Sequence, residues 1–515
     1  MNGAESLVRT LVASDVDVCF ANPGTSEMHF VAALDRVEGM RCVLGLFEGV
    51  VTGAADGYYR MAEKPASTLL HLGPGLGNGL ANLHNAKKAR SGIVNVVGEH
   101  AGYHIRFDAP LTSDIVGVAT PMSDWVRTSA AAAAVAADGA AAVEAARTAP
   151  GRVATLILPA DTAWGEGSAP VTARAPASRS RVAQEAVVAG AKVLRAGGGT
   201  TLLLGGLALR GRCLELAGRI AAKTGCALMM EYSGARLESG AGRVIPKRIP
   251  YAVDAAVAML AGTRRLVLVG SRTPVSFFAF PDKPSVQVSP ECEVTNVAGV
   301  EDDVEAALDA LAAELGALAT PPALVSSRVR PAPQAGAPTP DGIAAVVTAL
   351  LPENAIVCDE AITTGRGFSA FTGQAAPHDW LNIMGGSIGW ALPAATGAAI
   401  AAPSRKVVAL EGDGSAGYTQ QALWTMAREG LDVTVVIFAN RSYRILQGEF
   451  ANVGAGTPGR RAVDMLSLDR PTLDWVSIAR GYGVEASRAT DLEGFAREFG
   501  RGLATPGPYL VELVM

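Results

Sequence analysis

Cysteine is scarce and scattered. The six residues, at positions 19, 42, 213, 226, 292 and 358, include no CxxC pair. That excludes a disulfide framework and a cysteine zinc site, and it suits a reducing cytoplasm. A dominant charge is also missing. The net charge is −5 over 515 residues with no basic patch, which argues against nucleic acid or an anionic membrane as partner. The most apolar late stretch, residues 391–403, is too short to span a bilayer and contains Pro393. Glu5, Arg9, Asp15 and Asp17 interrupt the N-terminus, so it does not read as a secretory signal. What remains is a chain that is 49% hydrophobic and 18% charged, with material for large cores and a length that suggests about three domains.

Apolar runs alternate with helical patterns throughout, which points to the α/β class with doubly wound parallel sheets. Residues 1–165 form the first unit, with strands expected at Val16–Phe20, Thr68–His71, Ile93–Val97 and Val153–Leu158 and an alanine-rich helix near residues 130–147. Residues 164–182, rich in Pro, Ala, Ser and Gly, read as a linker. A central α/β unit, residues 183–318, has strands expected near Thr201–Leu204, Ala227–Met230 and Leu266–Val269. A Pro-rich linker over 319–341 leads to a third unit, residues 341–515.

The stretch from Lys406 to Tyr443 carries the strongest local signal. An apolar run ends at Gly412-Asp413-Gly414, a helical pattern follows, and a second run, Val433–Phe438, ends at Asn440. In a parallel sheet, Asp413 and Asn440 would both lie at carboxyl ends of strands, where ligands bind. Gly412 and Gly414 are expected to allow a tight turn and close backbone approach. Two oxygen donors without neighbouring Cys or His suit Mg²⁺ or Ca²⁺ better than zinc. The N–H groups of the following helix would favour an anion. A bare GDG is as readily a structural turn. GDGS with Asn440 27 positions after Asp413, inside a strand–helix–strand unit, is a strong signal for a metal-bridged diphosphate.

This segment resembles the thiamine diphosphate motif, and the resemblance extends over most of the chain. It is nearest to benzoylformate decarboxylase and to the acetolactate synthase large subunit and its homologues. The resemblance implies three domains that bind the pyrimidine, nothing assigned, and the diphosphate in turn. It implies that Asp413, Asn440 and the Ser442 carbonyl hold Mg²⁺, with Gly412, Gly414, Ser415, Tyr443 and Thr363 around the cofactor. By residue type alone Glu48 is equally a helix cap, but GVVTGAADGYYR after it resembles the family's glutamate helix. The resemblance then gives Glu48 the aminopyrimidine N1′ as partner and a proton-relay role. Ile388, in GGSIGWALP, is by type a core residue; the resemblance makes it the aliphatic wedge that bends the cofactor, with Gly386 making room.

His71, in LHLGPGLGNG, is by type a structural histidine at a strand end. The resemblance to benzoylformate decarboxylase sets it facing the reacting carbon, where it could relay protons. In the same resemblance Thr25 of NPGTSE replaces an active-site serine. His100 and His104 are surface residues or reach the site. Leu111 stands where acetolactate synthase has a glutamine. Arg444 and Ile445 would border the substrate pocket, although Arg444 is also readable as a surface arginine. Assembly as a homodimer or homotetramer, with active sites between chains, is implied by the resemblance alone.

The function expected is a decarboxylase or carboligase acting on 2-oxo acids, with acetolactate synthase as the alternative. Whether the central domain binds FAD is left open. An NAD(P) oxidoreductase is disfavoured by spacing, because neither Gly73-x-Gly75-x-x-Asn78 nor Gly75-x-Gly77-x-x-Leu80 has the third glycine. A catalytically silent paralogue is disfavoured because Glu48, Asp413 and Asn440 are all present.

Overall fold

Strands such as Ile93–Glu99 and Val433–Ala439 are buried at every position, as expected for parallel strands covered on both faces. In the structure, a computed structural model describing residues 1–515, such runs assemble into three sheets. The first contains β1 (Val18–Asn22), β2 (Arg41–Leu44), β3 (Ala66–Leu70), β4 (Ile93–Glu99), β5 (Trp125–Thr128) and β6 (Val153–Pro159). They are parallel, in the order β2-β1-β3-β4-β6-β5. The next strands are β7 (Thr200–Leu204), β8 (Ala227–Met230), β9 (Leu237–Ser239), β10 (Lys247–Arg248), β11 (Arg265–Val269) and β12 (Glu293–Ala298). All but β9 form the central parallel sheet, ordered β10-β8-β7-β11-β12. The third sheet uses β13 (Ile356–Glu360), β14 (His378–Asn382), β15 (Val407–Gly412), β16 (Val433–Ala439), β17 (Glu485–Ala489) and β18 (Tyr509–Val514), ordered β17-β18-β16-β15-β13-β14-β9.

Three local expectations shift. Strand β9 pairs antiparallel with β14, so one short segment after β8 caps an open edge of the third sheet. Arg236 fixes it there through Asp379, 2.8 Å away. Strand β3 stops at Leu70, so His71 lies beyond the strand and caps the helix Leu72–Ala89. The alanine-rich helix opens with a 3₁₀ turn and is α-helical only from Val135 to Arg147. No helix is long and apolar enough to cross a membrane.

The first and third sheets share one core. Phe20, Val50 and Leu83 pack in the same cluster as Trp390, Leu392 and Ile437, whereas the central core around Leu202, Leu214 and Leu308 closes on itself. The helices Glu48–Ala62 and Ala391–Ala401 cross closely. A methyl on Gly57 would lie 2.6 Å from the Ala394 Cα, so only glycine permits that approach. Beside the crossing, Asp56 takes both the Arg60 guanidinium, at 2.7 Å, and the indole N–H of Trp390, at 2.7 Å. This seam holds together the two sheets that carry the site.

In each sheet the chain passes from one side of an inner strand to the other at one inner point: between β1 and β3, β7 and β11, and β13 and β15. Ligands of open α/β sheets bind at such reversals, beyond the carboxyl ends of the strands.

Candidate active site

The first reversal gathers ionisable groups. Beyond β1, residues Thr25–Glu27 form one 3₁₀ turn in which Glu27 Oε2 accepts the Gly24 N–H at 2.8 Å. The same oxygen lies 2.8 Å from His71 Nδ1. The Glu27 side chain is 2% exposed and that of His71 is 22% exposed, so a buried carboxylate orients a half-open imidazole. Glu27 Oε1 has no partner. Thr25 is exposed at the lip of this turn. Glu48 is the first residue of its helix and is buried. Its Oε2 accepts from Asn78 Nδ2 at 3.0 Å. A methyl on Gly75 would lie 2.9 Å from Glu48 Oε1 and 3.2 Å from His71 Cβ, so the two side chains flank one helical turn. Leu111 is half-buried and packs against the shared core. His100 and His104 face each other with ring centroids 5.5 Å apart, and His104 leans on Phe107.

The reversal between β13 and β15 gathers oxygens and backbone. Asp413 is buried. Its Oδ2 accepts the Arg441 N–H at 2.6 Å and its Oδ1 the Gly414 N–H at 3.0 Å. Asn440 Oδ1 accepts from the backbone and hydroxyl of Ser442, at 3.0 and 3.1 Å. The bond to Arg441 therefore brings Asp413, Asn440 and Ser442 to one place. Burial pushes the Asp413 carboxyl up to about 6 against these donors, so a nearby cation would hold it charged. No three His, Cys, Asp or Glu side chains cluster as a metal site; an ion here would draw on the single Asp413 carboxylate with amide, carbonyl and non-protein oxygens, which suits Mg²⁺.

The expected tight turn at Gly412–Gly414 does not form. Gly412 has φ −84° and the helix Asp413–Thr419 begins at the next residue. Gly414 serves close approach instead, since a methyl there would meet the Tyr443 ring at 2.7 Å. Ser415 turns back, donating to Glu411 and to the Gly412 carbonyl.

Ile388 is half-buried in the loop between β14 and the Ala391–Ala401 helix. Three residues to which the sequence assigned no role, Asn82, Asn85 and Glu360, grip this loop from both sides. Asn85 donates to the Ser387 carbonyl at 2.7 Å and accepts its N–H at 3.2 Å. Asn82 donates to the Gly389 carbonyl at 3.1 Å. Glu360 accepts from the N–H groups of Gly389, Trp390 and Ala391 at 2.7–2.8 Å. Burial lifts Glu360 to about 7, and burial with the neighbouring Glu360 holds its strand partner Glu411 well above the carboxylate range. Polar residues at i and i+3 of an otherwise small-residue helix, as in Asn82 and Asn85, are the sequence signal that could have found part of this clamp.

Backbone strain marks the same loops. Leu72, Ile362 and Arg441 have φ of 50°, 34° and 57° and adjoin His71, Thr363 and Asn440. For residues with a Cβ such conformations are costly and concentrate at functional sites. Arg444 is exposed and Ile445 half-buried at the start of the helix Arg444–Asn452, with Arg444 in no ion pair.

The comparisons with known proteins agree with this geometry. Residues 1–116 match the thiamine pyrophosphate enzyme N-terminal TPP binding domain, and residues 364–513 match the C-terminal TPP binding domain. The chain is 52% identical to the provisionally named acetolactate synthase large subunit IlvX of Mycobacterium tuberculosis, over 100% of this chain and 99% of that one. It is 29% identical to a benzoylformate decarboxylase of Pseudomonas aeruginosa, over 96% and 95%. The fold matches a thiamine diphosphate-dependent 4-hydroxybenzoylformate decarboxylase of Rhodococcus jostii with TM-score 0.86 at 24% identity, covering 99% and 98%. The first matched domain carries the β1–β3 reversal and the second contains Asp413 and Asn440, and the chain belongs to the thiamine pyrophosphate enzyme family.

Proposed function

We propose that the protein is a thiamine diphosphate- and Mg²⁺-dependent 2-oxo acid decarboxylase or carboligase of benzoylformate decarboxylase-like type. The observation that carries this reading is the Glu27–His71 pair beside Glu48: two acid–base groups, one oriented by a buried carboxylate, flanking a single turn. When bound, the cofactor supplies the electron sink for loss of CO₂. With the cofactor in place, Glu48 would be the residue that exchanges a proton with the pyrimidine. His71 handles protons near the substrate carbon, with Glu27 fixing its ring and Thr25 offering a hydroxyl at the lip. Asp413, Asn440 and the Ser442 carbonyl hold the ion, and the clamped loop presents Ile388.

The helix that begins beyond His71 bonds Glu48 through Asn78 and grips the Ile388 loop through Asn82 and Asn85. From His71 to Asn85 the helix rises about 20 Å. This one helix thus ties the acid–base cluster to the Ile388 loop. We read the active site as completed by a second copy, in a homodimer or homotetramer.

Acetolactate synthase activity is the second reading, favoured by the name of the 52%-identical relative. Against it stands Leu111, an apolar residue where a polar contact is expected. A CO₂-release screen across 2-oxo acids with product identification decides between them. Release with aldehyde as the main product supports the first reading, and brisk acetolactate formation from pyruvate the second. No release from any 2-oxo acid overturns both.

A further inference from the structure

Between the central domain and the third sheet runs a groove that the roles above leave unused. Its first chamber, about 230 Å³, lies over the carboxyl ends of β13 and β14, with Tyr232, Arg248, Tyr251, Ile362, Arg366 and Asn382 among its lining. The Arg248 guanidinium lies 5.0 Å from the Tyr232 ring centre and that of Arg366 5.6 Å from the Tyr251 ring centre. The two phenol rings are 5.4 Å apart. Two cations thus bracket a pair of aromatic rings. Neither arginine forms an ion pair, although the molecule contains many. Glu360, in the same lining, accepts three backbone N–H groups, and the other carboxylate there, Asp359, is likewise committed. Its Oδ1 accepts the Ala361 N–H at 3.0 Å and its Oδ2 the Trp380 indole at 3.2 Å.

The groove also adjoins the candidate active site. The strained Ile362, next to Thr363, is in its wall. The Tyr251 hydroxyl reaches Glu449 at 3.4 Å, on the helix that begins with Arg444 and Ile445. Past Pro250 and Tyr251 a second chamber of about 260 Å³ extends to Phe277, whose ring packs on Gly386 beside Ile388. Arg248 Nε donates to the Tyr232 carbonyl, and neither guanidinium has a carboxylate partner; an aromatic-walled channel ending in such groups fits a flat or extended molecule with an oxyanion at its far end.

We propose that this groove holds the distal end of the donor substrate, and that the substrate is a 2-oxo acid with a second negative charge remote from its reacting carbon. The proposal rests on the 2-oxo acid reading above and adds the substrate class. Arg248 and Arg366 bind the remote oxyanion, and Tyr232 and Tyr251 wall the body between.

The test uses the holoenzyme with thiamine diphosphate and Mg²⁺ and pairs of 2-oxo acids that differ only at the far end: 2-oxoglutarate against 2-oxopentanoate, and 4-carboxybenzoylformate against benzoylformate. The doubly charged member of at least one pair is expected to be preferred by about 10- to 100-fold in kcat/KM, the worth of a charge-assisted hydrogen bond. Arg366→Gln or Arg248→Gln should pull that ratio toward one, mainly through KM, and Arg366→Lys should fall between. A 4-phosphonobenzoylformate arm separates a carboxylate end, where it is the poorer substrate, from a phosphate-like end, where it is the better. Calorimetry with unreactive terephthalate and glutarate reads the groove without turnover; binding by wild type that is weakened in Arg366→Gln supports the proposal. Equal kcat/KM within both pairs, with no binding of either dicarboxylate, overturns it and leaves the 2-oxo acid reading standing. Should the glutamine variants fail to fold, the wild-type ratios and calorimetry still decide. Absence of turnover on every 2-oxo acid overturns the functional reading instead, and with it the assignment of this groove to a donor.

Discussion

The reversals in the first and third sheets share a topology and differ in almost everything chemical. The first places Glu27, Glu48 and His71 beside one another, with a histidine ring left half open. The third places Asp413, Asn440 and a run of backbone groups together and buries its other carboxylates, Glu360 and Glu411, beneath the loops. In the proposed reading, one crevice would move protons and the other hold oxygen-rich cargo. Similar parallel sheets thus supply only the location; the residues beyond the strand ends supply the chemistry.

The sharpest way to break that contrast is to remove the anchor of the third-sheet crevice. Asp413→Ala should abolish retention of thiamine diphosphate and Mg²⁺, read by calorimetry, while circular dichroism stays native. Cofactor affinity equal to wild type would show that the division of labour is wrong. In the first crevice the opposite pattern is expected. Glu48→Gln should keep the cofactor yet slow its C2–H exchange by roughly 10²–10⁴-fold, the range for a positioned acid–base group, as followed by quenched-flow NMR.

A smaller effect is expected one step removed. Glu27→Gln leaves the imidazole of His71 in place but replaces a charged acceptor with a neutral amide. Turnover should fall by about 10- to 100-fold with cofactor affinity unchanged, whereas His71→Ala should cost roughly 10²–10⁴-fold. An Glu27→Gln enzyme as slow as His71→Ala would make the carboxylate, and not the ring, the principal group.

The smallest effect separates the sheets by stability. His378, on β14, is fully buried with Nδ1 at 2.7 Å from the Ala376 carbonyl, and burial lowers its pKa to about 4. The unfolded chain takes up a proton near 6.5 that the folded chain refuses, so this stability is present above about 6.5 and is lost as pH falls toward 4. The loss is up to about 3 kcal/mol. Melting temperatures between pH 7 and 5 should fall more steeply for wild type than for His378→Gln. Parallel curves would assign the acid sensitivity elsewhere.

Much of the candidate site was legible because it follows strand ends. Asp413 and Asn440 sit one residue beyond β15 and β16, and apolar runs ending in polar residues announce such positions. His71 was legible as a candidate, though not as a helix cap, since a strand pattern does not mark which residue leaves the ladder. Glu27 was visible in its motif yet had no assigned task. Its pairing with His71 spans 44 residues, and no local pattern encodes a contact between two loops. The glycines of the GDG motif misled in the other direction. Glycine permits both a turn and a close approach, and only the Tyr443 ring against Gly414 shows which is used.

The sequence by itself determined the alternation of strands and helices, the family, and the identity of the oxygen and acid–base groups, because these depend on local periodicity and side-chain chemistry. Tertiary structure decided how they are supported. It brought Asn82, Asn85 and Glu360 around the Ile388 loop and sent β9 to seal the edge of a distant sheet. It also left Arg248 and Arg366 unpaired around two tyrosines. Each of these depends on groups far apart in the chain meeting in a packed interior, where an unsatisfied polar group costs more than a weak hydrogen bond gains. Local sequence carries no record of which partner will be there.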